Sequence, residues 1–128
     1  MSGAAMAGYS DVLMDHFRNP RNAGCLEPYD LRGTAGMPGN GPYMVFTVRL
    51  EGGRIAEVRF QTFGCGPAIA AGSLLTELVS GRSLPETTTI TRDLLVEALG
   101  GLPEDKLYCV DLAVEAWHAL AGQATPVT

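Results

Sequence analysis

The run from Tyr43 to Gly81 constrains the fold more than any other part of the chain. Tyr43–Leu50 alternates, with Met44, Phe46, Val48 and Leu50 on one side and Tyr43, Val45, Thr47 and Arg49 on the other. That is the period of a strand with one covered face. Gly52-Gly53 fits a two-residue hairpin turn, because both positions there need φ > 0. Arg54–Phe63 reads as the returning strand, with Ala56, Val58 and Phe60 inward and Glu57, Arg59 and Gln61 outward. After Gly64-Cys65-Gly66-Pro67 the period changes. Ala68, Ala71, Leu74, Leu75 and Leu78 recur at helical spacing, and Gly81 marks a stop. A hairpin running straight into a helix predicts an α+β fold: an antiparallel sheet of about three strands with helices packed on one face.

The junction between the two periods carries the most distinctive chemistry. Cys65 stands between two glycines, which remove side-chain bulk and let other groups approach closely. Pro67 suits the first position of a helix, where a missing N–H costs nothing. Cys65 is therefore expected at or just before a helix N-terminus, whose partial positive charge favours a thiolate. A small packed thiol at a tight strand-to-helix turn fits the same residues.

The remaining elements follow in order. Tyr9–Phe17 predicts a short N-terminal helix, capped by Ser10, with Val12, Leu13 and Phe17 as its apolar side, and Asn19-Pro20 ends it. Arg21–Asp30 is a connection with room for a short strand. Leu31–Pro42 holds four glycines (Gly33, Gly36, Gly39, Gly41) and two prolines (Pro38, Pro42), and reads as a flexible loop. It lacks the Gly-Lys-Ser/Thr ending of a phosphate-binding loop, which argues against nucleotide binding there. Ser83–Thr89 is a polar connection. Thr91–Leu99 predicts a helix capped by Thr91 and closed by Gly100-Gly101. Leu102-Pro103 opens a last helix, with Glu104 and Asp105 suited to its N-terminal dipole. Val110, Ala113, Val114, Trp117 and Leu120 form its apolar stripe, with Cys109 beside it. No internal repeat or boundary interrupts the pattern. The expectation is one domain over residues 9–122, flanked by tails at 1–8 and 123–128.

Composition narrows the function. The chain has 128 residues, 46% hydrophobic and 18% charged, which suits a folded chain with a real core. Nine Lys and Arg against fourteen Asp and Glu give a net charge of −5, with no basic cluster, so no nucleic-acid partner is expected. No apolar run reaches the roughly 18 residues of a membrane span. Met1–Gly8 does not read as a signal peptide, which leads us to expect a cytoplasmic protein. The three cysteines are Cys25, Cys65 and Cys109, with no CxxC pair. Neither a disulfide framework nor a self-contained structural zinc site is expected. Cys25 reads as a packed or loop thiol. Trp117 reads as core. The two histidines, His16 and His118, read as fold or surface residues; His118 is nine positions past Cys109, too far round and along one helix to share a metal with it. No catalytic base, serine elbow or complete metal site is apparent, so an enzyme is not expected.

In order and at these spacings, a set of segments resembles one known family. These are His16-Phe17-Arg18-Asn19-Pro20-Arg21-Asn22, Phe60-Gln61-Thr62-Phe63-Gly64-Cys65-Gly66, Ala68-Ile69-Ala70, Ser73-Leu74-Leu75-Thr76-Glu77, Gly81-Arg82-Ser83-Leu84, and Cys109 followed by Leu112-Ala113 and Glu115-Ala116. The chain resembles the iron–sulfur cluster assembly scaffold proteins of the NifU N-terminal/IscU type from Tyr9 to about Leu120. The resemblance implies a protein that holds iron or a nascent [2Fe–2S] cluster, or less often zinc. It implies sulfur received from a cysteine desulfurase and a product passed to cluster-acceptor proteins. Thiolates are the soft ligands such clusters prefer.

The family's ligand set is only partly present. Cys65 and Cys109 match two cysteine positions. The first cysteine of the family is Asn40 here, the aspartate two residues later is Pro42, and the histidine before the last cysteine is Tyr108. Asn40 and Tyr108 remain candidate contributors at family ligand positions, and Cys109 is the candidate persulfide acceptor by resemblance. Leu102-Pro103-Glu104-Asp105-Lys106 departs from the Leu-Pro-Pro-Val-Lys sequence that a dedicated chaperone reads in some relatives. A [2Fe–2S] cluster needs four ligands. Three arrangements are open: a homodimer giving two thiolates per chain, ligands from a partner protein, or a fold kept as a sulfur carrier or partner-binding module without a cluster.

Overall fold

A computed structural model describes residues 9–37 and 39–123 of the chain. The expected tail at 1–8 and most of the one at 123–128 lie outside the described residues. Three strands, β1 (Leu31–Gly36), β2 (Tyr43–Glu51) and β3 (Arg54–Phe63), form an antiparallel sheet in the order β1-β2-β3. Four α-helices accompany it: α1 (Asp11–Arg18), α2 (Gly66–Val79), α3 (Arg92–Ala98) and α4 (Leu107–Gln123). Short 3-10 turns at Pro85–Thr89 and Glu104–Lys106 precede α3 and α4. The expected α+β class holds.

The hairpin forms as the alternation and Gly52-Gly53 require. Glu51 pairs with Arg54, and both glycines have positive φ. One expectation on β3 is reversed at its start. The pairing shifts between Arg49 and Leu50, so Arg49 faces Glu57 while Leu50 faces Ile55. Ala56 is the extra residue of a bulge and is exposed, and Ile55 takes the buried place expected for it.

The larger correction is Leu31–Pro42, whose first half is strand β1, not flexible loop. Gly33 lies opposite Phe46 in the ladder and directly under α4. A β-carbon at Gly33 would fall 2.6 Å from Leu120 N and 2.5 Å from Leu120 Cβ. This glycine allows a close helix-on-strand approach and does not loosen the chain.

Helices α2 and α4 cover one face of the sheet. Trp117 on α4 is fully buried and meets Phe46 of β2 edge-to-face, with ring centroids 5.5 Å apart and planes at 87°. On α2, Gly72 admits the Phe60 ring, which a β-carbon there would meet at 2.5 Å. The opposite face is not bare as the alternation implied. Val45 and Thr47 are buried as well. The segment before β1 crosses behind the sheet. It pairs with β3 where Gly24 N–H donates to Phe60 O, and passes β2 where Leu26 N–H donates to Thr47 Oγ1 (3.1 Å). It then enters β1 after Asp30 N–H donates to Val48 O. The expected short strand in this segment is reduced to one bridge, Ala23 to Phe60.

Ser10 caps α1 by accepting from Leu13 N–H (3.0 Å), and its hydroxyl also donates to Leu99 O, tying α1 to the end of α3. The buried face of α1 is Leu13, Met14 and His16, packed toward α2, while Val12 is exposed contrary to expectation. Thr91 caps α3 by accepting from Leu94 N–H. The stripe of α4 is buried as expected, apart from the half-buried Val114.

Candidate functional site

The end of β3 delivers Cys65 to the start of α2. Phe63 is the last strand residue, and Cys65 is the N-cap, with φ −87° and ψ 177°. Its carbonyl accepts from Ala68 N–H (3.0 Å) and Ile69 N–H (3.3 Å). Pro67 is the second helical residue, one later than expected but still within the turn whose N–H groups lack helical partners. The flanking glycines serve close approach. A β-carbon at Gly66 would meet the Phe17 ring at 3.2 Å, and one at Gly64 would meet Ala68 Cβ at 3.3 Å.

The first turn of α4 brings the second thiol. Cys109 is fully buried, and Cys65 is half-buried beside it. Their Sγ atoms are 2.8 Å apart, although 44 positions separate them in the chain. Tyr108 is half-exposed, and its hydroxyl lies 3.9 Å from Cys65 Sγ. Beside Cys65, an apolar cleft of about 140 Å³ is lined by Leu13, Met14, Phe17 and Pro67. Phe63, exposed and stacked on Tyr43 with ring centroids 6.5 Å apart, adds an apolar rim.

The electrostatics of the two thiols diverge. Burial pushes the Cys65 thiol up, but Cys109 Sγ, the Ala68 N–H, the Tyr108 hydroxyl and the Lys106 charge outweigh it and hold Cys65 below the usual thiol range. For Cys109, burial and the neighbouring Cys65 win, and its thiol is pushed up to about 12. Contact with Cys109 and Cys65 raises the Tyr108 phenol to about 12 as well. Lys106, one turn before Cys109, is a contributor that the sequence reading did not single out. A cation three positions before a thiol, at the entry to the last helix, was the available signal.

The other candidates separate cleanly. Asn40 lies exposed in the β1–β2 connection, where its N–H donates to Met37 O. That connection shares the Cys65 end of the sheet, since Gly36, Tyr43 and Phe63 are aligned across the three strands. No described hydrogen bond joins Asn40 to either thiol. Pro42, at the same end, offers no donor atom on its side chain. Cys25 is exposed, and its thiol donates to Leu26 O. His118 Nε2–H donates to Ile90 O (2.7 Å), and His16 is buried with Nδ1 2.7 Å from Ser73 Oγ. Both histidines hold the fold. Among the described residues, no group of three or more His, Cys, Asp or Glu side chains could hold a metal ion. No helix of the described residues is long and apolar enough to cross a membrane.

The sequence and the architecture both have counterparts among known proteins. The family described as NifU-like N terminal domain matches residues 8–123. The iron-sulfur cluster assembly scaffold protein IscU 1 of Archaeoglobus fulgidus is 47% identical over 108 residues, covering 84% of this chain and 71% of that protein. The scaffold protein IscU of Azotobacter vinelandii is 42% identical over 115 residues, covering 87% of this chain and 89% of that one. Among solved structures, a putative iron-sulfur cluster assembly scaffold protein for the SUF system from Fervidobacterium islandicum AW-1 superposes with a TM-score of 0.71. At 17% identity, covering 88% of this chain and 96% of that one, this likeness concerns the fold alone. With a family match across nearly its whole length and relatives above 40% identity, this chain belongs to the NifU-like N-terminal domain family.

Proposed function

We propose that this protein is an iron–sulfur cluster assembly scaffold that holds its cargo, iron or a nascent [2Fe–2S] cluster, on Cys65 and Cys109. The observation that carries the reading is the meeting of these two thiols at the open end of the sheet. Scaffold names among the relatives support it.

The donor set fits the cargo in kind but not in number. Thiolates suit iron and iron–sulfur clusters, which take four ligands. This chain offers two. Tyr108 adds a phenol, its hydroxyl 3.9 Å from Cys65 Sγ, but no third thiolate. Asn40 and Pro42 supply no anionic ligand. On this reading the remaining ligands come from a second copy of the chain, two thiolates from each.

Loading also requires a small movement. Two thiolates on one tetrahedral ion with bonds of about 2.3 Å lie about 3.7 Å apart, against 2.8 Å here. Cys65 is the sulfur free to move, being partly exposed and flanked by glycines, whereas Cys109 is packed. The same asymmetry favours Cys65, and not Cys109, the acceptor position by resemblance, as the entry point for sulfur from a cysteine desulfurase. Acceptor proteins would approach over Phe63 and the neighbouring cleft. The reading is tested by anaerobic incubation with ferrous iron and sulfide, followed by visible absorption. A coloured protein whose colour is lost in Cys65→Ser supports it; a colourless one counts against it.

A further inference from the structure

We infer that Cys65 and Cys109 form a reversible redox gate, closing as an intramolecular disulfide that shuts the site to its cargo. The inference rests on the proposed cargo role of the two thiols and adds a regulation of that site. Three observations carry it. The Sγ atoms are already 2.8 Å apart, so about 0.8 Å of approach reaches the ~2.05 Å of a disulfide. Cys65 is the N-cap of α2 and its side chain makes no capping hydrogen bond, so that sulfur can turn to make the approach. Finally, the two thiols differ in access, Cys65 being partly exposed and Cys109 fully buried. That is the arrangement of an attacking thiol with a resolving thiol behind it.

The oxidant is a small-molecule disulfide, RSSR. Cys65 loses its proton to solvent, and its sulfur attacks one sulfur of RSSR. The Cys65–S–S–R bond forms, the S–S bond of RSSR breaks, and one RS⁻ leaves and takes up a proton. Cys109 then loses its proton and attacks the Cys65 sulfur. The Cys65–Cys109 bond forms, and a second RS⁻ leaves and is protonated. The protein loses two hydrogens, and RSSR is reduced to two RSH. Both sulfurs are then committed to each other, and neither is free to bind iron.

The test uses Cys25→Ser protein, which leaves only the pair, equilibrated in oxidised and reduced glutathione. Expected are a 2 Da mass loss, a single cross-linked peptide containing Cys65 and Cys109, at least a tenfold drop in iron uptake, and recovery of uptake on adding dithiothreitol. A stable glutathione adduct on Cys65, with Cys109 still alkylatable after unfolding, would overturn the gate. So would a disulfide that leaves iron uptake unchanged. A Cys65–Cys109 disulfide in a protein that takes up no iron even when reduced would support the bond and overturn the cargo reading. Iron uptake by the reduced protein, with no disulfide at any glutathione ratio, would overturn the gate and leave the cargo reading standing.

Discussion

Gly33 on β1 and Leu120 on α4 are packed backbone to backbone, so that a β-carbon at 33 would lie 2.6 Å from Leu120 N. Helix α4 carries Cys109, and its seat on β1 fixes where that thiol enters the site. Gly33→Ala should therefore destabilise the fold by about 2–3 kcal/mol through overpacking. Gly122, near the end of the same helix, has open space around it. Gly122→Ala should instead stabilise by up to about 1 kcal/mol, the helix-propensity gain. Chemical denaturation followed by the fluorescence of Trp117, the only tryptophan, measures both.

Gly72 poses propensity against packing. Within α2, alanine would be favoured over glycine by about 1 kcal/mol. Its β-carbon would meet the Phe60 ring at 2.5 Å, and Phe60 is buried in the sheet. Gly72→Ala should lower stability by about 1–3 kcal/mol despite the better helix former. An increase in the denaturation midpoint would show that Phe60 yields.

Some of this was legible in the sequence and some was not, for identifiable reasons. The β2–β3 hairpin and the break at Cys65 rest on local periodicity and local turn chemistry, and both are found where expected. Strand β1 was hidden because Gly33 serves a helix far along the chain, while Gly36 allows the close approach of Pro42 and Tyr43 at the strand's end. The exchange of Ala56 for Ile55 came from a bulge, which alternation does not announce. The burial of Val45 and Thr47 depends on a segment that begins more than twenty residues earlier. Cys65 stood out through its own neighbours. Cys109 was marked as its companion only through resemblance to a family, since nothing local ties two residues 44 positions apart.

His16 gives the fold a pH dependence of definite sign. It is buried, its Nδ1 faces Ser73 Oγ, which also accepts from Arg21 N–H, and its Nε2 faces Glu77. Burial and the Arg21 charge lower its pKa from 6.5, outweighing Glu77 and Asp15, which favour the charged ring. The unfolded chain therefore binds a proton more readily. Stability should fall as pH drops below about 6.5 and level off once the folded-state pKa is passed. Asp15, held low mainly by its hydrogen bond from Arg21, adds a separate loss in the more acidic range where free carboxylates titrate. Denaturation midpoints from pH 7.5 to 5 should decline in the native chain and flatten in His16→Gln. An equal decline in both would assign the effect elsewhere.

Thiol accessibility should follow the burial pattern. Under native conditions iodoacetamide should modify the exposed Cys25 and the half-buried Cys65, while Cys109 reacts at least tenfold more slowly. After unfolding in denaturant, all three should react at similar rates. Peptide mass spectrometry over a time course resolves the three sites, and fast native labelling of Cys109 would contradict its place in the core.

The central claim is that Cys65 and Cys109 together hold iron–sulfur cargo, with a second copy completing the ligand set. Its most direct measurement is iron and sulfide content alongside native mass after anaerobic reconstitution. The account predicts two irons and two sulfides per pair of chains in a dimer that forms with the cargo, with both dimer and colour lost in Cys65→Ser and in Cys109→Ala. A colourless monomer with no bound iron, or a cluster that survives both substitutions, would contradict it.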